Sequence, residues 1–142
     1  MSTARILVTG GCGYIGSHTI VDLISSGYDV VSVDNGINSS FDVLDGIEAI
    51  TGKRVININV DLSETEDALQ AIKAHGHFDG IIHFAALKSV EESVFKPLRY
   101  FRNNIGSTLT TMQLMEELEI PHLIFSSSCT VYGTPQKLPV TE

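Results

Sequence analysis

The sequence is poor in basic residues and cysteine, and it contains no tryptophan. Nine Lys and Arg residues stand against seventeen Asp and Glu residues, which gives a formal net charge of -8. Because no basic cluster interrupts this balance, we expect no binding to nucleic acid through its phosphates. An anionic ligand would have to be held by backbone N–H groups, helix N-termini and a few individual cations.

Long apolar runs are also missing. No run approaches the roughly 20 residues of a membrane-spanning helix, and the first residues lack the apolar segment and cleavage site of a signal peptide. The two cysteines, Cys12 and Cys129, do not have the spacing of metal ligands. We therefore expect a cytoplasmic protein with free thiols, no membrane contact and no bound metal.

What is present is an alternation of short apolar runs with amphipathic segments, in a chain of 142 residues that is 43% hydrophobic. Four helical segments separate five buried runs, which are RILVT, YDVVSVD, RVININV, FDGIIHF and HLIFS. This alternation predicts one α/β domain with a doubly wound, parallel, Rossmann-type sheet and helices on both faces. In such sheets ligands bind at the carboxyl ends of the strands.

Helix boundaries can be read from caps and glycines. Ser63 and Glu66 have the spacing of a capping box, which predicts the start of the third helix. Pro97 suits the first turn of a long fourth helix. That helix carries one apolar stripe, formed by Leu98, Phe101, Ile105, Leu109 and Met112.

A glycine-rich turn, TGGCGYIG, connects the first strand to the first helix. Its glycines satisfy two phosphate-binding spacings, and they are Gly10, Gly11, Gly13 and Gly16. Glycine permits a tight turn and a close approach of the backbone to a phosphate. The backbone N–H groups of Tyr14 and Ile15 would lie at a helix N-terminus, which favours an anion by about 0.3–1 kcal/mol. The alternative is a plain connection between strand and helix.

Asp34 ends the second strand, and it lies about 20 residues beyond the glycines, as a ribose-binding acid does. Its carboxylate could accept both ribose hydroxyls of an adenosine. Because an acid here would repel a 2′-phosphate, NAD(H) is favoured over NADP(H). The alternative is a turn residue in the sequence DNG.

Polar residues follow the other strands. Asp61 could accept from the adenine amino group, or it is a loop acid before Ser63. Lys88 offers a cation near the cofactor, or it is a solvated lysine. Either Asn103 or Asn104 could face the cleft, since asparagine is a poor helix former, or both are exposed. The five histidines show neither ligand spacing nor a paired nucleophile, so we assign them no role.

Taken in order, these motifs resemble the extended short-chain dehydrogenase/reductase family, and within it the UDP-glucose 4-epimerases, also called UDP-galactose 4-epimerases. The resemblance runs from Arg5 to Gly133. It rests on TGGCGYIGSHT, DN at Asp34, HFAALKSVEES, PLRYFRNNIGST and FSSSCTVYG. The run containing Lys88 and Glu91 points to the epimerases in particular. Ala86 and Cys129 stand where glycine and alanine are usual.

The resemblance implies a role for each matching residue. Ser128 would contact the sugar at its reacting 4-hydroxyl. Two small residues, Ala85 and Ala86, would let a cofactor lie against the backbone. The implied NAD-binding set is Gly10, Gly13, Tyr14, Ile15, Gly16, Asp34, Asn35, Gly36, Ile37, Asn38, Ser39, Asp61, Leu62, Phe84, Ala85, Ala86, Leu87, Lys88 and Asn103.

The resemblance also implies an activity and partners. In this family NAD+ oxidises C4 of a UDP-sugar to a ketone, the ketose rotates, and the hydride returns to the opposite face, as a step of galactose metabolism. A tyrosine in a Tyr-x-x-x-Lys motif is the general base, and homodimers are usual. No such motif occurs in these residues.

We therefore expect residues 1–142 to be an incomplete NAD-binding domain, truncated after the fifth strand, without the C-terminal substrate domain and inactive alone. Such a fragment should expose apolar surface on its last helix and fifth strand. Two alternatives remain: another NAD-dependent nucleotide-sugar enzyme, such as a dehydratase or decarboxylase, or a non-catalytic dinucleotide-binding module.

Overall fold

The structure, a computed structural model, describes residues 3–140. Five strands are present in this part of the chain: β1 (Arg5–Thr9), β2 (Asp29–Val33), β3 (Ile56–Ile58), β4 (Gly80–His83) and β5 (Leu123–Phe125). The helices are α1 (Tyr14–Ser25), α2 (Val43–Thr51), α3 (Thr65–Lys73), α4 (Val90–Phe95) and α5 (Pro97–Glu117), followed by a 3-10 helix at Cys129–Tyr132.

The five strands form one parallel sheet in the order β3-β2-β1-β4-β5. Thr9, the last residue of β1, lies between Val33 of β2 and His83 of β4. The predicted Rossmann-type sheet is therefore confirmed. Because the chain reverses its direction of winding between β1 and β4, a crevice opens there at the carboxyl ends of the strands.

The core has two parts, one on each face of the sheet. Successive residues of a strand point to opposite faces, and Leu7 and Val8 in β1 are both fully buried. Leu7 belongs to a cluster with residues of α3 and α5, such as Leu69 and Leu114. Val8 belongs to a cluster with residues of α1 and α2, such as Ile20. Helices therefore cover both faces, as a doubly wound sheet requires.

The crossover from β4 to β5 contains two helices, where the sequence predicted one. Ser89 caps α4, since its Oγ accepts from the backbone N–H of Glu92 at 3.3 Å. Pro97 then begins α5 at the first helical turn, as predicted. The prediction of four helical segments was wrong because this local cap starts an additional short helix.

The predicted capping box at Ser63 and Glu66 was also wrong. The third helix begins at Thr65, and Glu64 at its N-cap makes no side-chain cap. The Ser63 hydroxyl instead donates to Asp61 Oδ1 at 2.7 Å, and the Ser63 N–H donates to the same oxygen at 2.8 Å. The capping box does not form because Ser63 is hydrogen-bonded to the Asp61 carboxylate instead.

Helix α5 has the reverse of the usual amphipathic pattern. Its buried residues are mostly hydroxylic, namely Tyr100, Ser107, Thr110, Thr111 and Leu114. Its exposed apolar stripe, which we call the outer stripe, comprises Leu98, Phe101, Ile105, Leu109 and Met112. In β5, Ile124 and Phe125 are 62% and 51% exposed. The predicted exposure of apolar surface on the last long helix and fifth strand is thus observed.

Candidate functional site

A cavity of about 820 Å³ lies at the carboxyl ends of the strands, within the roughly 300–1,000 Å³ typical of small-molecule sites. All but one of the predicted site residues line it. Gly36 does not: its φ is +71° and its N–H donates to Asp34 Oδ1, so it shapes the turn after β2. Lining residues are Gly10, Gly13, Tyr14, Ile15, Gly16, Asp34, Asn35, Ile37, Asn38, Ser39, Asp61, Leu62, Phe84, Ala85, Ala86, Leu87, Lys88, Asn103 and Ser128.

The glycine turn brings the N-terminus of α1 to the cavity. Gly10 has a φ of +69°, and a Cβ there would lie 2.9 Å from the Ala85 nitrogen. A Cβ on Gly16 would lie 2.2 Å from the Gly10 oxygen. The backbone N–H groups of Tyr14 and Ile15 have no acceptor among the residues from 3 to 140. The turn therefore presents free donors to the cavity, as anion binding requires.

Asp34 organises the turn after β2. Its Oδ1 accepts from the Gly36 N–H at 2.9 Å and from the Ser39 hydroxyl at 2.7 Å. Its Oδ2 accepts from the Cys12 N–H at 3.0 Å. A carboxylate has about four acceptor positions, so one remains on Oδ2 for a ligand. Asp34 can therefore hold the turn and also accept from one ribose hydroxyl. To accept from both hydroxyls, it would have to lose one of its three internal hydrogen bonds.

Cys12 is buried behind this turn and forms no disulfide. Burial, and next to it the Asp34 carboxylate, raises the pKa of its thiol to about 11. The thiol is therefore protonated at neutral pH and is a poor nucleophile. The side chain of Cys129, also predicted to be free, lies outside the described residues.

Asp61 joins the loops that follow β2 and β3. Its Oδ2 accepts from Asn35 Nδ2 at 3.0 Å, while its Oδ1 accepts from Ser63. Asn35 Oδ1 in turn accepts from the Ile37 N–H at 3.1 Å. Asp61 therefore orders the loop before α3 and also lines the cavity, and one acceptor position on its Oδ2 has no partner among the described residues.

The two asparagines of α5 have different partners. Asn104 pairs with the backbone of Leu87, accepting from its N–H at 2.8 Å and donating to its carbonyl at 3.0 Å. Asn103 Nδ2 donates to Asn104 Oδ1 at 3.0 Å. Asn104 therefore holds the segment after β4, a role that the sequence did not reveal, while the Asn103 oxygen accepts no hydrogen bond from the described residues. Lys88 is exposed at the cavity wall.

Ser128 lies where β5 leads into the 3-10 helix. Its Oγ accepts from the Thr130 N–H at 3.3 Å and lies 2.9 Å from Thr130 Oγ1. The side chain is exposed and lines the cavity. Its hydroxyl is therefore available to a ligand. It lies at the β5 edge of the sheet, opposite the β3 edge.

His83 was missed by the sequence reasoning. It is 3% exposed and lines the cavity. Its Nδ1 lies 2.9 Å from Thr9 Oγ1 and 3.1 Å from Thr111 Oγ1, and its ring stacks on Phe125. Burial lowers its pKa to about 4, so the ring is neutral at pH 7. The sequence did contain a signal: His83 and Thr9 are polar residues, and each ends an apolar strand. The structure places the two residues side by side, in register.

From residue 3 to residue 140, no group of three or more His, Cys, Asp or Glu side chains could hold a metal ion. No helix in that range combines the length and apolarity needed to cross a membrane.

The family described as "NAD dependent epimerase/dehydratase family" matches residues 6–142. The chain belongs to this family. Within it, the chain is 50% identical over 138 residues to the UDP-glucose 4-epimerase of Dictyostelium discoideum, covering 97% of this chain and 40% of that protein. It is 47% identical over 137 residues to the UDP-glucose 4-epimerase of Bacillus subtilis (strain 168), covering 96% and 40%.

A solved structure of a family member is also similar. The UDP-glucose 4-epimerase of Bifidobacterium longum, in complex with NAD+ and UDP, is 47% identical with a TM-score of 0.91, and 98% of this chain covers 41% of that chain. These relatives confirm the predicted resemblance and its NAD-dependent class. The chain spans about 40% of the length of the relatives it matches.

Proposed function

We propose that these 142 residues form the NAD-binding part of a longer enzyme that interconverts UDP-glucose and UDP-galactose at C4 of the sugar. One observation carries the proposal: the glycine turn and Asp34 meet at the switch point of the sheet, beside a cavity of cofactor size. The UDP-glucose 4-epimerases that match almost the whole chain support the choice of substrate.

The residues present fit a dinucleotide. In this proposal the free N–H groups of Tyr14 and Ile15 bind the pyrophosphate, since a helix N-terminus favours an anion. The open position on Asp34 Oδ2 accepts from the adenosine ribose, and its charge disfavours the 2′-phosphate of NADP. Asp61 and Leu62 contact the adenine.

The nicotinamide half of NAD is assigned to the opposite end of the cavity, along Phe84 to Lys88. Ala85 and Ala86 leave room for the cofactor against the backbone, and the free oxygen of Asn103 offers an acceptor. The cofactor supplies the hydride acceptor and donor of the reaction. The protein residues contribute orientation and the exclusion of water.

Ser128 is assigned the contact with the 4-hydroxyl of the sugar, which its exposed hydroxyl at the cavity wall supports. The general base, a tyrosine of a Tyr-x-x-x-Lys motif, is absent from these residues. We therefore propose that the base and most of the UDP-sugar site belong to the remainder of the full-length protein. A homodimer and a cytoplasmic location remain predictions from the resemblance and the sequence.

The test is the conversion of UDP-galactose to UDP-glucose, followed by product separation. The full-length protein should turn over, Ser128→Ala should lower kcat by about 100-fold, and the 142-residue chain should show no turnover. Ser25→Ala is the matched control, since that hydroxyl only binds a helix carbonyl on the surface of α1, and it should leave kcat unchanged.

Other outcomes would contradict the proposal. A product that has lost water or carbon dioxide would identify a dehydratase or decarboxylase. A full-length protein that binds NAD(H) but converts no UDP-sugar would favour a non-catalytic module. Turnover by the 142-residue chain would contradict the proposal that the general base lies in the remainder of the full-length protein.

A further inference from the structure

The hydrogen bonds around Thr9 indicate which nitrogen of His83 carries the proton. Thr9 Oγ1 accepts from the backbone N–H groups of Phe84 and Ala85, both at 3.2 Å. The Phe84 N–H is shared, since it also donates to the Thr9 carbonyl at 3.1 Å. Among the described residues, His83 Nδ1 at 2.9 Å is the one acceptor within reach of the Thr9 hydroxyl proton. Nδ1 is an acceptor, and the proton of the neutral ring is on Nε2.

Thr111 agrees with this assignment. Its hydroxyl lies 2.8 Å from the Ser107 carbonyl and 3.1 Å from His83 Nδ1, and one proton shared between these two acceptors is compatible with an unprotonated Nδ1. The opposite tautomer would leave the Thr9 hydroxyl proton without an acceptor among the described residues, at a fully buried position, which is costly.

The backbone held by Thr9 forms part of the cavity wall. Phe84 and Ala85, which we call the β4 turn, both line the cavity. The β4 turn touches the glycine turn, since a Cβ on Gly10 would come within 2.9 Å of the Ala85 nitrogen. A shift of a few tenths of an ångström in the β4 turn would therefore change the space between the two walls that face a dinucleotide.

The His83 ring is itself held from two other elements. Thr111 of α5 contacts its Nδ1, and Phe125 of β5 stacks on its face with 5.6 Å between ring centroids and an angle of 11°. The acceptor that fixes the Thr9 hydroxyl is therefore immobilised by β5 and α5, far along the sequence from β1.

We propose that His83 is a positioning residue: as the neutral Nε2–H tautomer, it orients the Thr9 hydroxyl, which fixes the β4 turn against the glycine turn. The inference rests on the proposed function only in that NAD(H) occupies the cavity.

The first arm of the test is 15N NMR of the full-length protein with labelled histidine, without cofactor. The His83 signals are identified by their loss in His83→Asn. We expect Nδ1 to resonate as an unprotonated nitrogen and Nε2 as a protonated one. A protonated Nδ1 at neutral pH would overturn the proposal, whatever the protein binds.

The second arm uses paired variants at Thr9. In Thr9→Val the side chain keeps its shape but loses the hydroxyl, whereas in Thr9→Ser the hydroxyl is kept. Thr110→Val is the control, because Thr110 is as buried as Thr9 and its hydroxyl pairs with Thr65 Oγ1, outside the cavity lining. We expect Thr9→Val to weaken NADH binding about tenfold, the loss of one hydrogen bond. Thr9→Ser and Thr110→Val should stay within about twofold.

Amide NMR signals separate this inference from the proposed function. The Phe84 and Ala85 amides should shift in Thr9→Val and in His83→Phe, which keeps the stacking on Phe125, and should stay in place in Thr110→Val. Equal shifts in Thr9→Val and Thr110→Val would refute the positioning role. If Thr9→Val does not fold, His83→Phe decides the same question. Failure of the wild type to bind NADH would refute the proposed function and leave the tautomer and amide results standing.

Discussion

The two faces of α5 differ in how completely their groups are satisfied. On the inner face Ser107 donates to the Asn104 carbonyl, Thr110 pairs with Thr65, and Thr111 donates to the Ser107 carbonyl. The outer stripe exposes five large apolar side chains to solvent. Burying a polar group costs little free energy when the group has a hydrogen-bond partner. An exposed apolar side chain lacks the stabilisation that its burial would give.

The same contrast extends to the sheet. The strands that carry the glycine turn and His83 are buried, while β5 exposes Ile124 and Phe125. The inner side of the molecule, which bears the candidate site, is therefore tightly determined by its own contacts. We therefore expect the outer side to tolerate changes that the inner side does not.

The largest effect is expected at Gly16. A Cβ there would lie 2.2 Å from the Gly10 oxygen, which is backbone and cannot rotate away. Gly16→Val should therefore destabilise the protein by about 3 kcal/mol and abolish NADH binding. Denaturant unfolding and an NADH titration measure the two effects.

The control is Gly46→Ala in α2, where a Cβ meets nothing within 4 Å. It should leave NADH binding unchanged and stabilise the helix by about 0.5–1 kcal/mol. If Gly16→Val were as stable as Gly46→Ala and bound NADH equally well, the close packing described for the glycine turn would be wrong.

The next effect is at Asp34. Asp34→Asn removes the negative charge and disturbs three hydrogen bonds to its carboxylate. We expect NADH affinity to fall about tenfold or more and the preference for NADH over NADPH to shrink. Fluorescence titrations with both cofactors measure this. Asp42→Asn, on an exposed residue before α2, is the control, and an equal effect there would argue for a general charge effect.

A smaller effect concerns His83 and pH. Burial lowers its pKa from 6.5 to about 4, so between these values the unfolded state binds more protons at this residue than the folded state. Its contribution to stability is therefore complete above pH 6.5 and declines as the pH falls toward 4. Melting temperatures of the wild type and His83→Asn should diverge above pH 6.5 and converge toward pH 4. Parallel curves would contradict the burial of a neutral ring.

The smallest effect on the site is expected from the outer stripe. The 142-residue chain should bind a hydrophobic dye, and the double variant Leu109→Glu, Met112→Lys should bind less of it because apolar surface is lost. NADH affinity should stay within about twofold, since the stripe does not line the cavity. Glu116→Gln controls for charge alone. Unchanged dye fluorescence in the double variant would place the dye-binding surface elsewhere.

The features that the sequence predicted are local ones. Strand periodicity gave the parallel sheet, and the spacing of Gly10, Gly13 and Gly16 marked the turn beside the cavity. Asp34 could be located because it ends an apolar strand at a fixed distance beyond those glycines. Each signal lies within one element or one connection, where sequence patterns are reliable.

The features that were missed depend on contacts between distant residues. Thr9 and His83 are 74 positions apart, and His83 and Thr111 are 28 apart, so no local pattern reveals their network. The capping box failed because Asp61 competes for Ser63. Asn104 was hidden by its neighbour Asn103, since which amide reaches Leu87 depends on how α5 packs.

The central claim is that the cavity between the glycine turn and the β4 turn binds NAD. An NADH fluorescence titration of the full-length protein, freed of bound nucleotide and repeated with NADPH and with Gly16→Val, tests it most directly. We predict saturable NADH binding, much weaker NADPH binding and no binding by Gly16→Val. A folded wild-type protein that shows no saturable NADH binding would contradict the account.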